Sequence, residues 1–122
     1  KETYALAVGL RLRRLPTKAH LILVASKQQT RLIGNTIKLL KAEVGGWWVN
    51  FHGSPMTRSG VPDILGGTQR VFFALEIKTK NDVLSVLQRY TIDLINDDAG
   101  YALVVSTPQE AVSFVKEILN EH

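Results

Sequence analysis

The sequence predicts an α/β domain, a mixed β-sheet flanked by helices, and three observations carry that expectation. Helical and strand periodicities alternate in the order helix, three strands, helix, strand, helix. Two of the helix starts, Ser26 with Gln29 and Thr107 with Glu110, have the capping-box spacing. The run 101–106 is almost uniformly apolar, as expected of a strand covered on both faces.

Taken in order, residues 26–43 read as the first helix. Ser26 is its N-cap, Leu32, Ile33, Ile37, Leu40 and Val44 recur at helical spacing, and Gly45-Gly46 stops it. Residues 47–51 are aromatic and β-branched, the signature of a strand, and residues 52–60, rich in Gly, Ser, Pro and Thr, form a loop. A second strand over 61–65, a turn at Gly66-Gly67-Thr68-Gln69 and a third strand over 70–80 make a hairpin. A helix over 85–98 follows, capped by Ser85 or Asp82, with Val86, Leu87, Tyr90, Leu94 and Ile95 as its apolar face and Gly100 at its end. After the 101–106 strand comes the last helix, with Thr107 as cap, Pro108 in the first turn, and Val112, Val115, Ile118 and Leu119 facing inward.

Residues 1–25 fit two descriptions. Leu6, Val8, Leu10 and Leu12 alternate with small or basic residues at the strand period, and Pro16-Thr17-Lys18 can turn the chain into a strand at 21–24. Tyr4, Val8, Leu12 and Leu15 equally fit a helix. The hairpin is preferred because Gly9 costs a helix about 1 kcal/mol relative to Ala. Residues 1–25 are thus an N-terminal extension of one domain whose main body is 26–122.

Composition narrows the chemistry. The 122 residues include no cysteine, which excludes thiolate metal sites, thiol nucleophiles and disulfides, and makes the reducing cytosol the expected compartment. A 45% hydrophobic content excludes disorder, and no apolar run approaches the ~20 residues that span a bilayer, so a cytoplasmic protein without a membrane partner is expected. A chain opening on Lys1 suggests processing or excision from something longer. The net charge of +4 hides an asymmetry. Residues 1–41 hold nine basic residues and one acidic one, +8, leaving −4 for residues 42–122. Such a split suggests a polyanion partner for the first part.

The informative stretch is Gly60-Val61-Pro62-Asp63-Ile64-Leu65 followed by Leu75-Glu76-Ile77-Lys78-Thr79. Side chains at i and i+2 share a strand face, so Glu76 and Lys78 point the same way, and pairing of the hairpin sets Asp63 beside them. Two adjacent carboxylates repel unless a cation neutralises them, and oxygen ligands without His or Cys suit Mg²⁺ or Mn²⁺. Such a site is open to substrate phosphate and to phosphodiester hydrolysis, with Lys78 placed to orient or deprotonate the attacking water. A surface Asp beside an ordinary Glu-Lys pair is the alternative.

Val-Pro-Asp at one strand, Glu-Ile-Lys in the next, and Leu84-Ser85-Val86-Leu87-Gln88 opening the following helix resemble the PD-(D/E)XK (restriction-endonuclease-like) superfamily. More closely, the pattern is similar to its VRR-NUC branch of small virus-type replication and repair nucleases, of bacterial, archaeal or phage origin. The resemblance covers residues 26–122, with 60–88 its specific part and Gly100-Tyr101-Ala102-Leu103-Val104-Val105 matching the later Gly-led strand. It implies a mixed four-stranded sheet flanked by helices, in the order α-β-β-β-α-β-α after the N-terminal hairpin or helix. It implies metal ligation by Asp63, Glu76 and the Ile77 backbone carbonyl, with Lys78 as the catalytic lysine and Gln88 as a further catalytic residue holding water or phosphate. One position departs from the pattern: where relatives carry a Glu on the first helix, this chain has Gln28 and Gln29, either of which is a neutral substitute ligand.

Around this motif, Arg58, Ser54 and His52 suit a phosphate-contacting loop, and Lys27, Arg31, Arg13 and Arg14 suit the DNA backbone. Of the aromatic pair, Trp47 and Trp48 either stack on bases or divide between core and rim. The expected function is a Mg²⁺- or Mn²⁺-dependent DNA endonuclease acting on branched or flapped duplex such as a Holliday junction, with a homodimer suited to a two-fold junction. Two other functions compete: a DNA-binding module that keeps the fold with weakened or lost activity, and a sequence-specific restriction or homing-type nuclease.

Overall fold

The computed structural model describes residues 18–52, 60–79 and 81–121. The chain divides into two units, Lys1–Arg31 and Leu32–His122. In the first unit the described backbone is helical. Helix α1 runs Lys18–Glu43, eight residues longer than expected at its start. The strand expected at 21–24 is therefore helix, and Ser26 with Gln29 lies inside α1 rather than capping it. The cause is local: no Gly or Pro interrupts residues 18–33, which are rich in Ala, Leu, Lys and Gln, good helix formers. The strand expected within residues 5–13 lies outside the described residues.

The second unit holds everything else. α1 ends where Gly45 (φ +71°) and Gly46 (φ +91°) take the left-handed conformation, with Val44 and Gly45 both donating to the Leu40 carbonyl. The Trp48 indole then donates to the Gly45 carbonyl at 2.7 Å, fixing the entry into strand β1, Trp47–Asn50. β2 is Ile64–Thr68 and β3 is Val71–Ile77. The expected Gly66-Gly67 turn is a correction: both glycines sit within β2, and the chain reverses at Gln69-Arg70, both at positive φ (53° and 68°). Gly66 is required by packing, since a Cβ there would lie 2.7 Å from the Trp48 ring and closer still to the Trp47 carbonyl.

Helix α2, Val86–Asp98, crosses from β3 to the parallel strand β4, Tyr101–Val105, and α3, Pro108–Asn120, closes the chain. The sheet order is β1-β2-β3-β4, antiparallel except for the last pair, so the expected mixed four-stranded sheet and element order are observed. One sheet face carries the core: Trp48, Ile64, Phe73, Leu75, Ile77 and Val105, packed against Ile33 and Leu40 of α1 and Val112 and Val115 of α3. Trp48, Tyr101 and Phe114 surround the Phe73 ring with centroids about 6 Å away. The expected apolar face of α2 does not join this core. Val86 is 87% exposed and Tyr90 59% exposed, and no residue of α2 is buried. Asn96 instead ties α2 to β4, its side chain accepting from Ala102 N (2.8 Å) and donating to Ala102 O (3.2 Å).

Candidate active site

The opposite sheet face carries three cross-strand rows, read from the register. Trp47, Gly67 and Phe72 form one, Val49, Leu65, Ala74 and Ala102 the next, and one step further Asp63 lies opposite Glu76, with Val104 beyond. The last row puts two carboxylates where a strand buried on both sides ordinarily holds apolar residues. Asp63 is 5% exposed and Glu76 2% exposed.

Asp63 is held from two directions. The Ile77 N–H donates to Oδ2 (3.0 Å), and the His52 ring meets Oδ1 at 2.7 Å. An ionised carboxylate only accepts, so Nδ1–H of His52 is the donor. His52 is itself placed by its backbone N–H on the Asn50 side chain (2.8 Å). On Glu76, Oε2 accepts from the Gln88 side-chain amide (3.1 Å) and lies 3.8 Å from Lys78 Nζ. Oε1 is buried, and neither Gln88 nor Lys78 reaches it. Burial first, then the charge of Asp63, raise the Glu76 carboxyl from 4.5 to about 8, with Lys78 acting in the opposite direction and the Asp63 hydrogen bond adding to the rise.

Local structure delivers Gln88 to this place. Ser85 is the N-cap of α2, accepting from the Gln88 N–H (3.1 Å), while the Gln88 Oε1 accepts from the Ser85 N–H (2.9 Å). With its oxygen engaged, the Gln88 amide has only its NH₂ to offer Glu76. Asp82, the other expected cap, instead closes the turn after β3 by accepting from the Thr79 N–H (3.1 Å) and hydroxyl (2.7 Å), which hold its carboxyl below the ordinary range.

The donor set fits a hard divalent cation. Were both carboxylates ionised, the one ammonium beside Glu76 would leave net negative charge at the site. Among the described residues no three His, Cys, Asp or Glu side chains form a complete ligand cage. Mg²⁺, which takes one or two protein carboxylates and leaves other positions to water and phosphate, matches so open a set.

The expected residues separate accordingly. Asp63, Glu76, Ile77, Lys78 and Gln88 come together in the second unit. His52, expected on the phosphate loop, contacts Asp63, a pairing across eleven residues that no local spacing signals. Ser85, expected only as a cap, sets the orientation of Gln88. Gln28 and Gln29 lie on α1 in the first unit. Lys27 and Arg31 are exposed on α1. Ser54, Arg58, Arg13 and Arg14 lie outside the described residues.

A solved structure titled a VRR_NUC domain is similar to this chain. The two are 24% identical with a TM-score of 0.48, over 74% of this chain and 95% of that one. No family model matches the chain, and no curated protein does. Among the described residues no helix is long and apolar enough to cross a membrane.

Proposed function

We propose that residues 26–122 form a Mg²⁺- or Mn²⁺-dependent deoxyribonuclease of the VRR-NUC type, hydrolysing phosphodiester bonds in branched or flapped DNA. The observation that carries this is the buried Asp63–Glu76 pair, set beside Lys78 and Gln88. Asp63, Glu76 and the Ile77 carbonyl would hold the ion, whose chemistry there is that of a Lewis acid, activating water and offsetting phosphate charge. The chain does the rest. His52 and the Ile77 N–H fix the Asp63 carboxylate, and Gln88 fixes that of Glu76, so neither needs to reorganise. Lys78, with its side chain 20% exposed, reaches both the Glu76 carboxylate and solvent. It is suited to orient the attacking water and to neutralise charge that builds on the phosphate. The basic residues of 1–41 supply affinity for the backbone.

Two experiments test this. Asp63→Ala, Glu76→Ala and Lys78→Ala each abolish cleavage while retaining DNA binding in gel shifts, because the basic residues are untouched. A panel of four-way junction, flap, linear duplex, single-stranded DNA and RNA, each with Mg²⁺, Mn²⁺ or EDTA, defines the substrate. Cleavage of junction or flap above the other substrates is expected. Binding of every DNA without cutting of any would instead mark a module that has kept the fold and lost the reaction.

A further inference from the structure

The aromatic row on the site face has no part in the chemistry above. Trp47 on β1 and Phe72 on β3 are separated by Gly67 on β2, all three in one cross-strand row. Trp48, the neighbour of Trp47, is 3% exposed and belongs to the core, whereas Trp47 is 65% exposed and Phe72 37%. Neither ring stacks on another among the described residues. Two strand spacings set their Cα atoms about 10 Å apart. A flat ring lying between two others needs about 7–8 Å from outer ring to outer ring, twice the carbon contact distance. Gly67 leaves the floor of that gap bare, and a side chain there would drive its Cβ to 2.5 Å from the Val71 carbonyl.

The result is a cavity of about 560 Å³ walled by the two rings, floored by glycine backbone and closed at one end by Gln69 and Arg70. Gln69 and Arg70 both take positive φ, which an Asn-Gly turn adopts with less strain. Arg70 of that turn is among the lining residues, and among the described residues no acidic one is. An apolar slot for a planar ring with a cation beside it is the chemistry of an aromatic base attached to a phosphate. The slot is also continuous with the candidate active site. Phe72 and Glu76 share a face of β3 four residues apart, about 13 Å, with the aliphatic row Val49, Leu65 and Ala74 between them.

We propose that the slot between Trp47 and Phe72 receives an unpaired nucleobase of the strand whose phosphate reaches Asp63 and Glu76. The course of that strand rests on the nuclease function proposed above; the slot itself does not. Bases paired in a duplex have no free face to insert, so the slot selects DNA with a single-stranded portion, as a flap or an opened junction provides.

The test is fluorescence anisotropy of a labelled single-stranded oligonucleotide, in EDTA so that nothing is cut, with blunt duplex and a proline-rich peptide as parallel arms. Trp47→Ala and Phe72→Ala each weaken single-strand binding about tenfold, within the range for loss of one base–aromatic stack. Trp47→Phe keeps most of the affinity, and blunt duplex binding changes less than twofold. Trp47 is mostly exposed, so Trp47→Ala keeps the wild-type melting temperature; Phe72→Ala loses some packing and is assayed well below its own melting temperature. Single-strand binding by both alanine variants within twofold of wild type overturns the proposal, as does equal loss on blunt duplex or capture of the peptide in preference to the oligonucleotide. Failure to cleave any substrate in Mg²⁺, with slot-dependent binding intact, would remove the nuclease function and leave the slot standing.

Discussion

Glu76 carries the electrostatic tension of the molecule in one side chain. Its carboxyl is buried beside Asp63 and rises to about 8, so near neutral pH the metal-free protein holds a proton there that the unfolded chain, at 4.5, has released. The folded state then binds more protons than the unfolded state between those two values, and stability falls as pH rises through the window. Chemical denaturation of metal-free protein should show a loss on the order of a few kcal/mol between about pH 4.5 and 8, levelling off above. In Glu76→Gln, which keeps the shape without the charge, that slope disappears and the metal-free variant is the more stable protein at pH 8. A wild-type profile that is flat across the window would mean that the carboxylate is compensated by groups other than those described.

At the scale of elements, the start of α2 combines a structural and a chemical role. The capping box that begins the helix also orients Gln88, so the local signal Ser-x-x-Gln and the functional position are one device. Ser85→Ala should therefore cost about 1 kcal/mol in stability. It should also lower cleavage about tenfold or more by releasing a side chain that supports a metal ligand. Ser85→Thr, which caps equally well, restores both, whereas loss of stability with unchanged cleavage would assign Ser85 to the helix alone. Only part of this device was legible in the sequence: Ser85 stood beside Asp82 as a candidate cap, and its pairing with Gln88 was not read. The last helix, with Thr107, Pro108 and Glu110 each in its expected place, and the uniformly apolar β4 were legible because their signals are local. The β2–β3 hairpin was only half legible. Gly66-Gly67 carries the composition of a turn, but the glycines serve close approach to Trp48 and the floor of the slot, a requirement set by a neighbouring strand. The same holds for α2: its apolar residues have helical spacing, yet spacing does not say whether another element is there to cover them.

For the whole chain, the asymmetry of charge is the feature that composition reveals and the fold organises. The basic excess belongs to residues 1–41, and the two acids that matter most are taken from the acidic remainder and buried in one row of the sheet. Asp63, Glu76 and Lys78 could be picked out because strand alternation and a hairpin suffice to bring them together, whereas Gln88, on α2, was expected from the family resemblance alone. His52 on Asp63 could not, since it depends on where a loop returns to the sheet. The length of α1 also escaped the sequence, because alternation in residues 5–13 suggested a strand partner for 21–24, an aliphatic run with β-branched Ile22 and Val24 that the good helix formers on either side carry into α1.

The central claim is that the buried carboxylate pair is a cation seat for phosphodiester hydrolysis. Its most direct test is the cleavage rate of flap or junction DNA as a function of Mg²⁺ concentration, for wild type and Glu76→Gln side by side. The wild-type rate should rise with Mg²⁺, saturate, and vanish in EDTA, while Glu76→Gln should stay at background at every concentration. Wild-type cleavage that survives EDTA, or a Glu76→Gln protein that cuts at the wild-type rate, would contradict the claim.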